Sequence, residues 1–396
     1  MSLKLIKLKK GEGRRIRSGH PWIFSNEVDI STTPLKKFTA GEEVIVVDHD
    51  QTPIGVAYVN PQSLIAGRIF TRDINERLDV ELFKLRLQNA LALRTHLFTQ
   101  PYYRLVFSEA DQLPGLIIDR FGEHLVVQIN TAGMENKQEQ LSEAIGAVFP
   151  DVTSVLLRND SGIRGQEGLE PCVMPLIGTP PEEVNLEENG ARFTAPLWKG
   201  QKTGWFYDHR MNRARLQQYV QDKNVLDVFS YLGGWGIQAA RYGAKHVDCI
   251  EVSKFASDYI TKNAALNNVS DKVNVICDDA FDAMKALLQQ KKTYDVIVLD
   301  PPAFVKKFKD RKEGLLAYQR LNEMAVKLLV PGGVLFSCSC SMQVTLEDLT
   351  DMLQRIAFRT QTTLQILERG HQGPDHPLHP SVPETDYLKM LVVRRV

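Results

Sequence analysis

The chain has 396 residues, with 48 Lys and Arg balanced by 48 Asp and Glu, and 43 % of its residues are hydrophobic. That composition excludes wholesale disorder, and at roughly 150 residues per domain the length implies two or three domains. No run approaches about 18 consecutive apolar residues, which excludes a spanning helix and argues against a membrane partner. The segment Met1–Lys7 alternates apolar and basic residues without a signal-peptide apolar block, and five cysteines are too few for a disulfide framework, so a reducing cytoplasm is the expected location.

The neutral total hides an uneven distribution. Residues 1–72 hold eleven Lys or Arg against seven Asp or Glu, and seven of the basic residues, Arg14 and Arg15 among them, fall between Lys4 and Arg17. After Trp22-Ile23-Phe24, short strand-like runs at Glu43–Asp48 and Ile54–Val59, without a helical period, predict a small β-barrel over 1–72. From Glu76 to about Phe98 apolar residues recur at helical spacing. Strands at Gly115–Asp119, Leu125–Ile129 and Ser154–Arg158, with a helix near Asn136–Val148, predict a central α+β domain over 73–185. The Pro-, Gly- and Glu-rich stretch Pro171–Gly190 reads as a linker or exposed hairpin.

A third domain spans 190–396. Strand patterns at Asn224–Phe229, His246–Val252, Val273–Cys277, Tyr294–Leu299, Gly333–Ser339 and Leu364–Glu368 alternate with helical ones, the signature of a doubly wound, Rossmann-like α/β sheet. A last strand, Tyr387–Val393, follows without a helix, which predicts an antiparallel hairpin at the sheet edge.

Asp227-Val228-Phe229-Ser230-Tyr231-Leu232-Gly233-Gly234-Trp235-Gly236 runs from the first of these strands through a glycine turn into a helix. Glycines there let a ligand approach the backbone at the strand's carboxyl end. The run is neither GxGxxG nor a Walker loop, which disfavours a dinucleotide or a triphosphate. Glu251 ends the second strand, where an acid can take two ribose hydroxyls, and Asp278-Asp279-Ala280 ends the third, where an acid can meet an adenine amino group. Such an ordered series suits a ligand with ribose and adenine but no pyrophosphate, namely S-adenosylmethionine. Asp227, Phe229, Ser230, Tyr231, Gly233, Gly234, Glu251, Asp278, Asp279, Ala280 and Asp300 are the candidate cofactor contacts.

The fourth strand ends in Asp300-Pro301-Pro302-Ala303-Phe304, beside the first strand at the ligand crevice. The prolines stiffen the turn, and Phe304 offers a face for a flipped base. The fifth strand ends in Ser337-Cys338-Ser339-Cys340-Ser341, with Cys340 nearer the ligand edge. Carbon 5 of a pyrimidine becomes nucleophilic enough for methylation when a thiolate adds to C6. Cys340 is therefore the candidate nucleophile, and Asp300 the group that holds or protonates the pyrimidine edge. Cys172, Cys249 and Cys277 are expected to be buried structural thiols. Lys306 and Lys307, just past Phe304, are candidate phosphate contacts, as are Lys202 and Arg210 for RNA or cofactor. No metal is expected: Cys338 and Cys340 lack a partner pair at zinc spacing. The loop with His371, His376 and His379 reads as packing over the active-site crevice and touching substrate.

At these residues the sequence resembles the RlmI-type family of bacterial 23S ribosomal RNA cytosine-5 methyltransferases, over the whole chain. Lys199-Gly200-Gln201-Lys202-Thr203-Gly204-Trp205-Phe206-Tyr207-Asp208-His209-Arg210, the Asp227–Gly236 turn and Asp300-Pro301-Pro302-Ala303-Phe304 carry the likeness. Lys9-Lys10-Gly11-Glu12-Gly13-Arg14-Arg15 with His20-Pro21-Trp22-Ile23-Phe24 is similar to the family's RNA-binding PUA domain, so Arg14 and Arg15 become candidate RNA contacts. The resemblance implies 23S rRNA or a large-subunit assembly intermediate as partner, places Cys340 at the nucleophile's position, and leaves a homodimer open. One departure stands out: the second cysteine that relatives carry after Asp-Ala-Pro is replaced here by the Asp300–Ala303 run, so water, Asp300 or Cys338 would have to assist product release. Two alternatives remain: a guanine-N7 methyltransferase that needs no cysteine, and a non-catalytic RNA-binding assembly factor.

Overall fold

The computed structural model describes residues 3–396; Met1 and Ser2, the start of the N-terminal segment read above, lie outside them. The chain folds into two units. One contains the chain up to Val184, Pro196–Tyr207 and Pro374–Thr385; the other contains Asn185–Ala195, Asp208–Gly373 and Asp386–Val396.

In the first unit, β1 (Lys4–Lys7), α1 (Gly13–Arg17), β2 (Trp22–Phe24), β3 (Glu42–Val47), β4 (Pro53–Val59) and β5 (Ile65–Thr71) build a sheet of order β1-β3-β4-β5-β2. Alternation along its strands buries Ile6, Ile23, Val44 and Val46 in one apolar cluster, which also receives Ile16 from α1. The short helix α1 is the element that the strand-only reading of this segment lacks. A second sheet follows: α2 (Val80–Leu97), β6 (Tyr102–Phe107), β7 (Leu116–Phe121), β8 (His124–Ile129), α3 (Ala132–Glu135), α4 (Gln138–Val148), β9 (Ser154–Asn159) and β10 (Cys172–Ile177), in strand order β10-β9-β8-β7-β6. Asp79 caps α2 by accepting from Leu82 N at 3.0 Å. Trp22 Nε1 donates to Glu109 at 2.8 Å and Arg68 pairs with Glu167 at 2.9 Å, joining the two sheets.

Strand β10 corrects the linker reading of Pro171–Gly190. β10 accommodates Pro175 because it is an edge strand, and an edge has an outward side where a missing N–H costs no ladder bond. The rest of the stretch enters the hairpin β11 (Glu183–Glu188) and β12 (Ala191–Pro196). Its turn is Asn189-Gly190, with φ of +53° and +78°, the backbone that a two-residue hairpin requires.

In the second unit lie α5 (Arg210–Ala214), β13 (Asn224–Val228), α6 (Gly234–Arg241), β14 (His246–Ile250), α7 (Lys254–Leu266), β15 (Val273–Ile276), α8 (Ala280–Gln289), β16 (Tyr294–Leu299), α9 (Arg311–Leu328), β17 (Leu329–Ser339), α10 (Leu346–Thr360), β18 (Leu364–Gly370) and β19 (Lys389–Arg395). They form a seven-stranded sheet of order β15-β14-β13-β16-β17-β19-β18. The first five are parallel, and β19 runs antiparallel to both β17 and β18. The expected antiparallel pair is present, but β19 lies inside the sheet and only β18 is at its edge. Val296, Ile297, Val298 and Leu299 are all buried, as an unbroken apolar run demands of a parallel strand covered on both faces. Among the described residues no helix is long and apolar enough to cross a membrane.

Candidate active site

The strand order reverses between β13 and β16, so the carboxyl ends of those strands flank the crevice of a doubly wound sheet. Past β13 the backbone turns sharply. Phe229 and Tyr231 take φ of +67° and +51°, a left-handed conformation that costs a non-glycine residue about 1–3 kcal/mol and collects at functional sites. The amides of Phe229 and Ser230 both donate to Ile250 O at 3.0 Å, which fixes the turn to β14. Gly233 (φ +84°) leads into α6, and a Cβ there would lie 2.7 Å from Ile237 Cδ1.

Asp227 is fully buried beneath this turn and accepts from Gly236 N at 2.9 Å. Its other oxygen is buried without a hydrogen-bond partner, and burial pushes the carboxyl up to about 7. Asp227 thus braces the glycine turn from below.

Glu251, just past β14, accepts from Tyr231 N and Ser253 N, each at 2.9 Å. Two backbone donors preset the carboxylate while each oxygen keeps acceptor capacity for a hydroxyl. Asp279 caps α8, accepting from Phe281 N at 2.9 Å and Asp282 N at 3.3 Å. Asp278 beside it is exposed and accepts from Asp279 N; Ala280 is buried. A preset acid and a glycine turn with no room for a side chain suit S-adenosylmethionine.

On the other side, Asp300 accepts from Trp235 Nε1 at 3.0 Å and lies 3.1 Å from His209 Nε2. Burial pushes the Asp300 carboxyl up, but the His209 ring and the Trp235 N–H outweigh it and hold the group below the usual carboxylate value. Asp300 is therefore an ionised acceptor; its side chain keeps 20 % exposure. Cys340 lies just past β17, half-buried, with Sγ 3.8 Å from Pro301 O. The thiol thus meets the Asp300-Pro301 loop. Its two neighbours are fixed by one hydroxyl: Ser339 Oγ and Ser341 Oγ each lie 3.0 Å from Tyr318 OH of α9, and Val305 N donates to Ser341 Oγ at 3.2 Å. Cys338 is buried, and burial drives its thiol well above the usual range. Of the three cysteines expected to be structural, Cys249 is buried, but Cys172 is half-buried and Cys277 exposed. Both follow from edges: Cys172 begins the edge strand β10 and Cys277 follows the edge strand β15.

The proposed substrate contacts divide. Phe304 is half-buried, its ring centroid 4.8 Å from that of Tyr318 and 6.3 Å from that of Phe229. Lys306, Lys307, Lys202 and Arg14 are exposed, and Lys202 Nζ sits 4.7 Å above the Phe206 ring. Arg210 is buried, with Nε 3.6 Å from Glu188, a carboxylate that also pairs with Arg213 at 2.6 Å; it is a structural cation and no surface contact for RNA. Arg15 is half-buried, and its Nη2 donates to Glu27 at 2.7 Å and to Trp22 O at 3.0 Å within its own sheet. His376 is buried at 3.0 Å from Asp375, which accepts from Arg104 N at 3.0 Å, and its ring packs on Phe107; this half of the histidine loop belongs to the first unit's second sheet.

Among the described residues two groups could present metal ligands: His209, Asp300 and Cys338, and Asp48, His49 and Asp50. In the first, Asp300 is already engaged by Trp235 Nε1 and His209 Nε2. His209, Trp235 and Tyr318 are the supports of these candidate residues that local patterns miss. Each acts on a strand end far from it in sequence, and no spacing rule links them.

This topology and these strand ends define a class I methyltransferase domain. Residues 167–394 match the family of S-adenosylmethionine-dependent methyltransferases, and residues 6–72 match a PUA-like domain. The chain belongs to the family whose curated members are named ribosomal RNA large subunit methyltransferase I. It is 36 % identical to that protein of Cronobacter sakazakii over 398 residues, and 38 % identical to that of Shewanella frigidimarina over 400, with 98 % of each chain covered in both cases. Among solved structures, a SAM-dependent methyltransferase from Streptococcus mutans shares the fold with a TM-score of 0.83 at 19 % identity, over 99 % of this chain and 100 % of that one. A second methyltransferase, crystallised with S-adenosylhomocysteine, gives 0.84 at 19 % identity over 100 % of both chains.

Proposed function

We propose that this enzyme methylates carbon 5 of a cytosine in large-subunit ribosomal RNA through a covalent Cys340 adduct. The observation that carries the reading is the placement of Cys340: half-buried past β17, against the Pro301 carbonyl, between two serines tied to one tyrosine. An N7 methylation of guanine needs no such thiol.

The Cys340 thiolate forms a bond to C6, and the C5=C6 electron pair moves to C5, which takes the methyl group. S-adenosylmethionine, when bound, supplies the methyl carbon and keeps the electron pair of the S–CH3 bond that breaks. The C5 proton then leaves to Asp300 or water, the C5–H pair restores the double bond, and the C6–S pair returns to Sγ. Cys338, buried and protonated, does not suit that proton acceptance. Ionised Asp300 suits the exocyclic amine of cytosine, a donor that calls for an acceptor. Phe304 stacks on the extruded base. Residues 1–72 serve as a second grip on the RNA, with exposed Arg14 as phosphate contact, while 73–185 and 190–396 act as central and catalytic domains. The relatives' name supports large-subunit rRNA, naked or in an assembly intermediate, as the substrate.

The test is methyl transfer from labelled cofactor to rRNA lacking the modification. Cys340→Ala is expected to lose at least ~10³-fold in rate. Retained activity would overturn the covalent mechanism and favour guanine N7 chemistry.

A further inference from the structure

Strand β19 enters the sheet beside β17 with Lys389 opposite Ser339, one residue before Cys340. The Lys389 ammonium donates to Ser341 O at 2.8 Å and to Tyr387 O at 2.9 Å. Ser341 follows Cys340, so the cation is tied to both sides of the thiol's backbone, by register on one and by a hydrogen bond on the other. Lys389 is half-buried, and among the described residues no carboxylate lies within ion-pair distance of it. An ammonium has three donors, and two of these go to neutral carbonyls. A half-buried cation without an anion is costly unless an anion forms near it.

We propose that Lys389 is the cation that holds Cys340 as a thiolate, a positioning residue that acts through the nucleophile. The inference rests on the reading of Cys340 as that nucleophile. A neighbouring ammonium lowers a thiol's pKa and so raises the fraction present as the attacking species. Burial pulls the Lys389 ammonium down, while Asp386, the Cys340 sulfur and Asp348 counter it. Of the titratable groups around the thiol, burial raises Tyr318 of α9 and Cys338 of β17, whereas Asp300 and Asp348 are held low by their partners.

The experiment is alkylation of the full-length protein by iodoacetamide across pH 5–10, read by mass spectrometry of the Cys340 peptide. A Cys172→Ser, Cys277→Ser background removes the accessible competing thiols. With Lys389 present, the Cys340 midpoint is expected below the free-thiol value of about 8.5. Lys389→Gln, which keeps a donor but no charge, raises the midpoint by about one pKa unit and slows alkylation at pH 7 by ~10-fold. Lys389→Met gives the same shift, and Lys389→Arg restores the low midpoint. An unchanged midpoint in folded Lys389→Gln or Lys389→Met overturns the proposal, as does failure of Lys389→Arg to restore it. The measurement uses neither RNA nor cofactor. A Cys340→Ala enzyme that kept its activity would sink the cytosine reading and leave this titration intact.

Discussion

On the β13–β14–β15 side of the catalytic sheet, carboxylates are held by backbone amides: Asp227 by Gly236, Glu251 by Tyr231 and Ser253, Asp279 by Phe281 and Asp282. On the β16–β17 side, the polar groups are held largely by side chains: Asp300 by His209 and Trp235, and the serines around Cys340 by Tyr318. Backbone amides hold a carboxylate wherever the turn forms, and that suits a cofactor common to many enzymes. Side-chain frames can be rebuilt without changing the fold, and that suits the part of the site that chooses a substrate.

Two substitutions sharpen this contrast, one on each side. The larger effect is expected from Glu251→Gln. Its amide cannot accept from both Tyr231 N and Ser253 N as the carboxylate does, and charge-assisted hydrogen bonds are worth about 1.5–3 kcal/mol each. Calorimetry is expected to show cofactor binding weakened by ~10–100-fold. Equal affinity would mean that the backbone-held acids do not hold the cofactor. The smaller effect is expected from Tyr318→Phe, which removes the hydroxyl between Ser339 and Ser341. Two neutral hydrogen bonds at about 1 kcal/mol each give a fall in kcat of up to ~30-fold with cofactor affinity unchanged. A loss that appears in cofactor affinity instead would erase the distinction between the two sides.

The same contrast explains what was legible in the sequence. The glycine turn, Glu251 and the Asp278-Asp279 pair stood out because strand end, turn and helix cap are local patterns, and the sheet needed only the alternation of periods. Asp300 and Cys340 were visible as unusual residues at strand ends. Their supports were not: Trp235 reaches Asp300 across 65 residues and Lys389 reaches Ser341 across 48, and no periodicity encodes such a meeting. Arg210 misled for a related reason. A cation in a polar segment reads as exposed, and only the fold reveals the buried Glu188 that holds it. Pro175 hid β10, because one residue that breaks an interior strand is harmless at an edge.

The covalent step can be tested directly with an rRNA fragment carrying 5-fluorocytosine. Fluorine at C5 leaves no proton to remove after methyl transfer, so an adduct formed through C6 cannot release the thiol. With S-adenosylmethionine present, the wild-type enzyme is expected to give an RNA–protein conjugate stable to denaturation and joined at Cys340, absent in Cys340→Ala. Turnover of the unmodified cytosine RNA without any conjugate from the fluorinated one would contradict the mechanism.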